Sequence, residues 1–200
     1  VDEVSADSPA PGGGSVAALA GSLGAALAAM VGNLTVGKKG YEKDAAELAS
    51  MAVRAQATKA GLLSIVDRDT EAFSAVLEAA RLPKANEEQK ALRAKRMDEA
   101  SKQAALVPMA TAQSCLKVME HCLIAVEKGN KNSVTDGAVG ALMAMAGMEG
   151  ALLNVKINLN SIADKAFSTR LQEEVAALRK ASENLLSQTF ILLEKSLGSA

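Results

Sequence analysis

The residues of this chain that could do chemistry are a few carboxylates, amides and lysines set into otherwise apolar helical sequence. Asp69 lies four positions before Phe73, on the stripe that also carries Ile65 and Val66, so partial burial and a functional role are expected of it. Asp67, two residues earlier, reads as part of a solvated face with Arg68. Asn154 and Asn158 are four apart and share one helix face. Uncharged amides there either pair with backbone in the core or read the donors and acceptors of a heterocycle, and both readings stand. Asp136 opens a helix, where a carboxylate suits the positive end of the peptide dipoles. Lys38, Lys39 and Tyr41 form a small basic and aromatic patch at a helix C-terminus, fit for an acidic ligand tail as well as for simple capping. The run Pro9-Ala-Pro-Gly-Gly-Gly-Ser15 approaches a helix with fixed φ, then lets backbone come close at Gly12, Gly13 and Gly14. Ser15 falls at the N-cap or in the first turn. Such an elbow either holds an anion or packs tightly.

Other chemistries find no support. No catalytic triad can be drawn, and His121 lies in an apolar helical run as a core or interface residue. Neither glycine cluster matches a phosphate-binding loop, because no Gly-Lys-Ser/Thr follows a strand. With one His, no metal site is expected. Cys115 and Cys122, seven apart on one helix, read as reduced core residues of a cytoplasmic protein.

The elements that position these groups follow from composition. The chain has 200 residues, 49% hydrophobic but only 2% aromatic, and about one residue in five is alanine. Core volume must therefore come from aliphatic side chains on closely packed helices, and one domain spanning 1–200 is expected. A formal net charge of −1 with dispersed Lys and Arg argues against nucleic-acid or membrane-surface partners. The chain opens on Val1-Asp2-Glu3 without the pattern of a secretory leader.

Residues 14–36 are long enough to span a bilayer, yet they are Ala and Gly rather than Leu and Phe. A central bundle helix is expected, with Ala20, Gly24 and Ala28 admitting another backbone. A second helix runs from Glu42 to about Ala80 and stops at Pro83. A third starts near Glu87, and Pro108 is expected to kink or divide it before apolar residues resume over 109–126. A loop follows at 129–132. Thr135 or Asp136 caps a fourth, small-residue helix that runs to about Asn160. A last amphipathic helix extends from about Asp164 to Leu197. The expectation is all-α: an up-and-down bundle of five to six long helices, homodimeric.

Taken together, Pro-Ala-Pro-Gly-Gly-Gly-Ser at 9–15, Gly-Asn-Leu-Thr-Val-Gly-Lys-Lys-Gly-Tyr at 32–41, Asp69-Thr-Glu-Ala-Phe73, Arg81-Leu-Pro-Lys84, Thr135-Asp136, Asn154-Val-Lys-Ile-Asn-Leu159 and Asp164-Lys-Ala-Phe167 resemble the cyclodeaminase/cyclohydrolase family over nearly the whole chain. Thr135 stands where many members carry Ser, and keeps the hydroxyl. The resemblance implies a helical homodimer acting on reduced tetrahydrofolates, free or polyglutamylated, with room between the small-residue helices for the flat pteridine, and with no metal and no cofactor beyond that substrate. Two reactions share the fold. One closes 5-formiminotetrahydrofolate to the 5,10-methenyl compound with loss of ammonia, and the other interconverts the methenyl compound and 10-formyltetrahydrofolate with water.

By the same resemblance, Asp69 is the proton carrier and Asp136 the anion facing the substrate's cation. Asn130, Asn154 and Asn158 hydrogen-bond the pterin, Gly12–Ser15 allow close approach, and Lys38 with Tyr41 meet the glutamate tail. The segments at 69–73, 81–84 and 158–164 look closer to cyclodeaminases, those at 32–39 closer to cyclohydrolases, and the balance leans to the former. Any formiminotransferase would then be a separate chain. A non-catalytic helical dimerisation module is the alternative from composition alone, and a filled apolar interface would favour it.

Overall fold

The computed structural model describes residues 1–198. Five α-helices carry the fold: α1 (Gly13–Thr35), α2 (Ala45–Arg81), α3 (Glu87–Lys128), α4 (Val134–Leu159) and α5 (Lys165–Leu197). Short 3-10 turns occupy Asp2–Ser5, Glu42–Asp44 and Lys131–Ser133. No strand occurs among the described residues.

Long-range contacts fix the directions. Ser15 meets Val66 and Ser22 meets Lys59, so α1 and α2 run antiparallel. Gly13 faces Asn154 and Gly24 faces Gly140, so α1 and α4 do too. Arg179 pairs with Glu149, placing α5 antiparallel to α4. The all-α, up-and-down expectation holds, with five helices.

Two sequence expectations fail here. The first is the gap between the small-residue helices. A Cβ on Gly24 would lie 2.5 Å from the Gly140 carbonyl oxygen, and one on Gly147 would lie 2.6 Å from that of Ala17. Backbone therefore rests on backbone, and the space beside it is filled by sulfur: Cys115 Sγ lies against Gly21 and Gly147, Cys122 Sγ against Gly140. The small residues close the seam instead of leaving room in it. Both cysteines are free and buried, and burial pushes each thiol up to about 12.

The second is a division of the helix at Pro108: that residue is buried, and α3 runs undivided through it over 42 residues. A proline leaves the carbonyl four residues earlier without its helical donor. Here that carbonyl, Ala104 O, accepts a 2.6 Å hydrogen bond from Asn158 Nδ2 of α4. The cost that would break an isolated helix is met by a neighbouring one.

Helix starts also shift slightly. Ser133 occupies the N-cap of α4, so Asp136 sits in its first turn and caps nothing by side chain. Asp164 does cap α5, accepting from Phe167 N at 3.0 Å, and that bond together with Lys102 holds its carboxyl below the usual carboxylate range.

Packing is concentrated in one main cluster that includes Leu48, Met51, Leu62, Val118, Met119, Met148 and Leu152. The window of α1 that is apolar enough to cross a membrane (mean hydropathy 1.8) is 61% buried in this bundle. The outer edges of α1 and α4 are different. Val16, Leu19, Leu23, Met30 and Leu34 on α1, with Val139, Leu142, Leu153 and Ile157 on α4, are exposed along the length of the pair.

Candidate active site

At the N-terminal end of α1 the chain builds a cavity of about 310 Å³. Its walls are the Pro9–Gly14 elbow, the α2 segment carrying Asp69, Thr70, Phe73 and Val76, Ala104 of α3, and Asn154, Ile157 and Asn158 of α4. Four elements thus converge on one space, of a size at the lower end of ligand pockets.

Asp69 is half-buried in this wall. Its Oδ2 accepts from Ser15 Oγ at 3.1 Å, and the same hydroxyl lies 3.1 Å from the Val66 carbonyl. Ser15 is therefore a first-turn residue of α1, buried, with its one proton shared between two α2 acceptors. Gly14 makes room for this approach: a Cβ there would fall 2.6 Å from Asp69 Cγ. Gly12 and Gly13 are under no such pressure, since a Cβ on either meets only ordinary contacts. Gly12 is the N-cap of α1 and Gly13 its first residue, so their outward sides stay open to the cavity.

The two asparagines divide their groups. Asn154 Nδ2 donates to Gly150 O at 2.9 Å, and Asn158 Nδ2 donates to Ala104 O. Each amide is oriented by backbone while its side chain lines the cavity. Of the alternatives left open by sequence, pairing with backbone is the one each amide makes, and each side chain also borders the cavity.

Lys38, Tyr41, Asn130 and Asp136 lie elsewhere, at the other end of α1. Its 23 residues span roughly 33 Å, so in one chain they cannot share a ligand head with Asp69. Lys38 and Lys39 sit exposed in a turn between Gly37 (φ 83°) and Gly40 (φ 93°), conformations that glycine tolerates. Tyr41 Oη accepts from Lys131 N at 3.2 Å. Asn130 is buried, with its N donating to Thr35 Oγ1 (2.8 Å) and its Oδ1 accepting from Asn132 N (3.1 Å), which organises the turn before α4. Asp136 is half-buried in the first turn of α4.

Sequence reasoning named neither Thr70, Val76, Ala104 nor Ile157 as site residues. Phe73 was noted only for its position after Asp69, yet it is one of three phenylalanines in the chain and stands 38% exposed at the cavity. An aromatic that stays exposed in so aromatic-poor a chain was the available signal. His121 is buried away from the cavity, and burial, then Arg54 and Lys117, depress its pKa. A larger cleft of about 480 Å³ between α4 and α5 contains none of the predicted residues. No group of three or more His, Cys, Asp or Glu side chains suited to a metal occurs among the described residues.

Comparison with known proteins bears on the family and the fold. A family model described as formiminotransferase-cyclodeaminase matches residues 1–177. The chain is 40% identical over 178 residues to a methenyltetrahydrofolate cyclohydrolase of Methylorubrum extorquens, covering 89% of this chain and 86% of that protein. It is 38% identical to the mouse formimidoyltransferase-cyclodeaminase, but spans only 33% of that longer protein. The crystal structure of formiminotetrahydrofolate cyclodeaminase from Thermotoga maritima superposes with a TM-score of 0.89 at 30% identity, covering 98% of this chain and 94% of that one. By sequence and by fold, the chain belongs to the formiminotransferase-cyclodeaminase family.

Proposed function

We propose that this protein is a formiminotetrahydrofolate cyclodeaminase, closing 5-formiminotetrahydrofolate to 5,10-methenyltetrahydrofolate with release of ammonia. The observation that carries the reading is Asp69: a half-buried carboxylate steadied by Ser15, set in a cavity bordered by glycine backbone and two asparagines.

The chemistry fits one carboxylate. N10 attacks the formimino carbon and gives up its proton, the C–N bond to the departing nitrogen breaks, and that nitrogen must leave as ammonia. The formimino group enters protonated, as its amidinium; Asp69 takes the N10 proton and passes it to the departing NH2, which leaves as NH3 while the positive charge stays on the methenyl product. The product is a delocalised amidinium, which the ionised carboxylate then faces. Phe73 offers a flat surface to the pterin, and Asn154 and Asn158 border its polar edge. The cavity suits the bicyclic head, leaving the aminobenzoyl-glutamate portion outside.

A second reading, methenyltetrahydrofolate cyclohydrolase, is favoured by the 40% identity to a cyclohydrolase of similar length. There Asp69 would take one proton from water as it adds to the bridging carbon and hand it to N5 as the C–N5 bond opens, while the remaining hydroxyl proton is released to solvent as the 10-formyl carbonyl forms. The formimino reading needs a separate activity that loads N5, which the name of the mouse relative supplies on its own longer chain.

One assay separates the two. Each folate is supplied alone and the absorbance of the methenyl chromophore followed. Growth from the formimino substrate is expected; accelerated decay of the methenyl compound with no turnover of the formimino one would replace the first reading by the second.

A further inference from the structure

A threonine inside a helix has a ready partner, because its hydroxyl can turn back onto the carbonyl four residues earlier. Thr35 does so to Val31 (2.6 Å), Thr58 to Arg54 (3.0 Å), Thr111 to Val107 (3.4 Å) and Thr189 to Leu185 (2.7 Å). Thr70, well inside α2 and in the wall of the cavity that holds Asp69, makes no such bond. Thr169 makes none either, but it stands exposed on α5, where water serves it. Thr135 is the second residue of α4 and has no carbonyl of its own helix to reach.

The reason lies in α1. The carbonyl four residues before Thr70 is that of Val66. One of its lone pairs takes the helical N–H of Thr70 itself, and Ser15 Oγ lies 3.1 Å away to fill the other. The Thr70 hydroxyl is therefore left without its usual acceptor. Thr70 is half-buried, yet its oxygen keeps access to solvent.

Position along α2 indicates what this hydroxyl meets. Asp69 and Thr70 stand four and three residues before Phe73, and both spacings make side chains neighbours on a helix. A pterin lying against Phe73 then has carboxylate and hydroxyl at one end. Both folate reactions exchange a small group there: ammonia leaves in one, and water enters in the other. For Asp69 to pass a proton to or from that group, the group has to be held in one orientation. A hydroxyl can hold it by accepting from N–H or O–H.

We propose that Thr70 binds the exchanged group, accepting a hydrogen bond from the departing nitrogen or the entering water while Asp69 moves the proton. The inference rests on the folate reading for the substrate and on the filled Val66 carbonyl for the uncommitted hydroxyl. Ser15 then acts twice, steadying the carboxylate and keeping the next residue's hydroxyl off its own helix.

Thr70→Val removes the oxygen, and Thr70→Ser keeps it. On the folate that the wild type turns over, Thr70→Val is expected to lower kcat ~10- to 100-fold with little change in KM, the pattern of a contact made in the transition state. Thr70→Ser should recover most of that loss. Since the hydroxyl holds nothing within the chain, Thr70→Val should melt like the wild type, whereas Thr189→Val should melt lower. A Thr70→Val enzyme with turnover within about two-fold of wild type, or one that melts as low as Thr189→Val, would overturn the proposal.

A double-mutant cycle adds a readout that a packing role would leave unmoved. Ser15→Ala empties the second lone pair of the Val66 carbonyl, so the Thr70 hydroxyl can fold back onto it. In that background Thr70→Val is expected to cost at least ~3-fold less in kcat than it does alone, and equal costs would overturn the proposal. The wild type separates this failure from that of the folate reading. No turnover of either folate removes both, whereas an active wild type beside an equally active Thr70→Val removes the role of Thr70 alone.

Discussion

Ser15 Oγ lies 3.1 Å from Asp69 Oδ2, joining the first turn of α1 to the middle of α2 across 54 positions of sequence. The bond fixes where the carboxylate points without consuming both of its oxygens. Asp69→Asn keeps the shape and removes the ability to carry a proton. Turnover is expected to fall at least ~100-fold, the usual contribution of a positioned acid–base group. Circular dichroism and folate affinity should stay near wild type, and turnover within a few-fold of it would remove Asp69 from the mechanism.

Ser15→Ala leaves the carboxylate but frees it to rotate. Loss of this hydrogen bond is expected to cost ~1 kcal/mol of stability or less, and to lower kcat more than it raises KM. Steady-state kinetics beside a thermal melt would show whether the two effects separate.

Gly14→Ala puts a methyl group where Asp69 now stands. Since a displacement of ~1 Å can cost 100-fold in rate, activity should fall steeply while Gly13→Ala, which meets only ordinary contacts, is far milder in stability. Parallel assays of the two variants check the ranking of melting temperatures and the loss at Gly14.

Asn158 and Pro108 form a testable pair. Asn158→Leu removes the donor that serves Ala104 O and should destabilise the fold by about 1–3 kcal/mol. In a Pro108→Ala background the restored amide N–H can serve that carbonyl, so the same change should cost less. A double-mutant cycle by chemical denaturation measures the difference, and simple additivity would disprove the coupling.

The thiols make a prediction about pH. Their folded pKa values, pushed up to about 12, lie above the ordinary thiol range near 9. The folded state therefore favours the protonated thiol. This contribution is complete below about pH 9 and is lost as pH rises from there towards about 12. Cys115→Ser/Cys122→Ser protein should show a shallower alkaline decline in stability than wild type.

Much of this was legible in the sequence because its signals are local. Glycine, proline and Asp164 mark helix ends within a residue or two, and the apolar spacing names the buried faces. That Pro108 would not divide α3 was hidden because the donor serving the Ala104 carbonyl, Asn158, lies 54 residues from it in sequence. At the seam between α1 and α4 the close backbone approach at Gly24 was legible, whereas the room expected there for a flat ring was not found, because small side chains fit either a void or a contact and only the partner's position decides. The splitting of the proposed site residues was, by contrast, available from arithmetic. Gly12 and Lys38 flank a helix of known rise, which separates them whatever the fold does around it.

The backbone contact of α1 on α4 makes the pair behave like a keyed shaft. Gly24 and Gly147 are pinned at fixed heights. Adding one residue between Ser15 and Ala17 would leave that key seated and turn everything upstream by about 100°. The hydroxyl that grips the carboxylate would then swing off α2, so an insertion of one residue should silence the enzyme where an insertion in the 82–86 connection passes unnoticed.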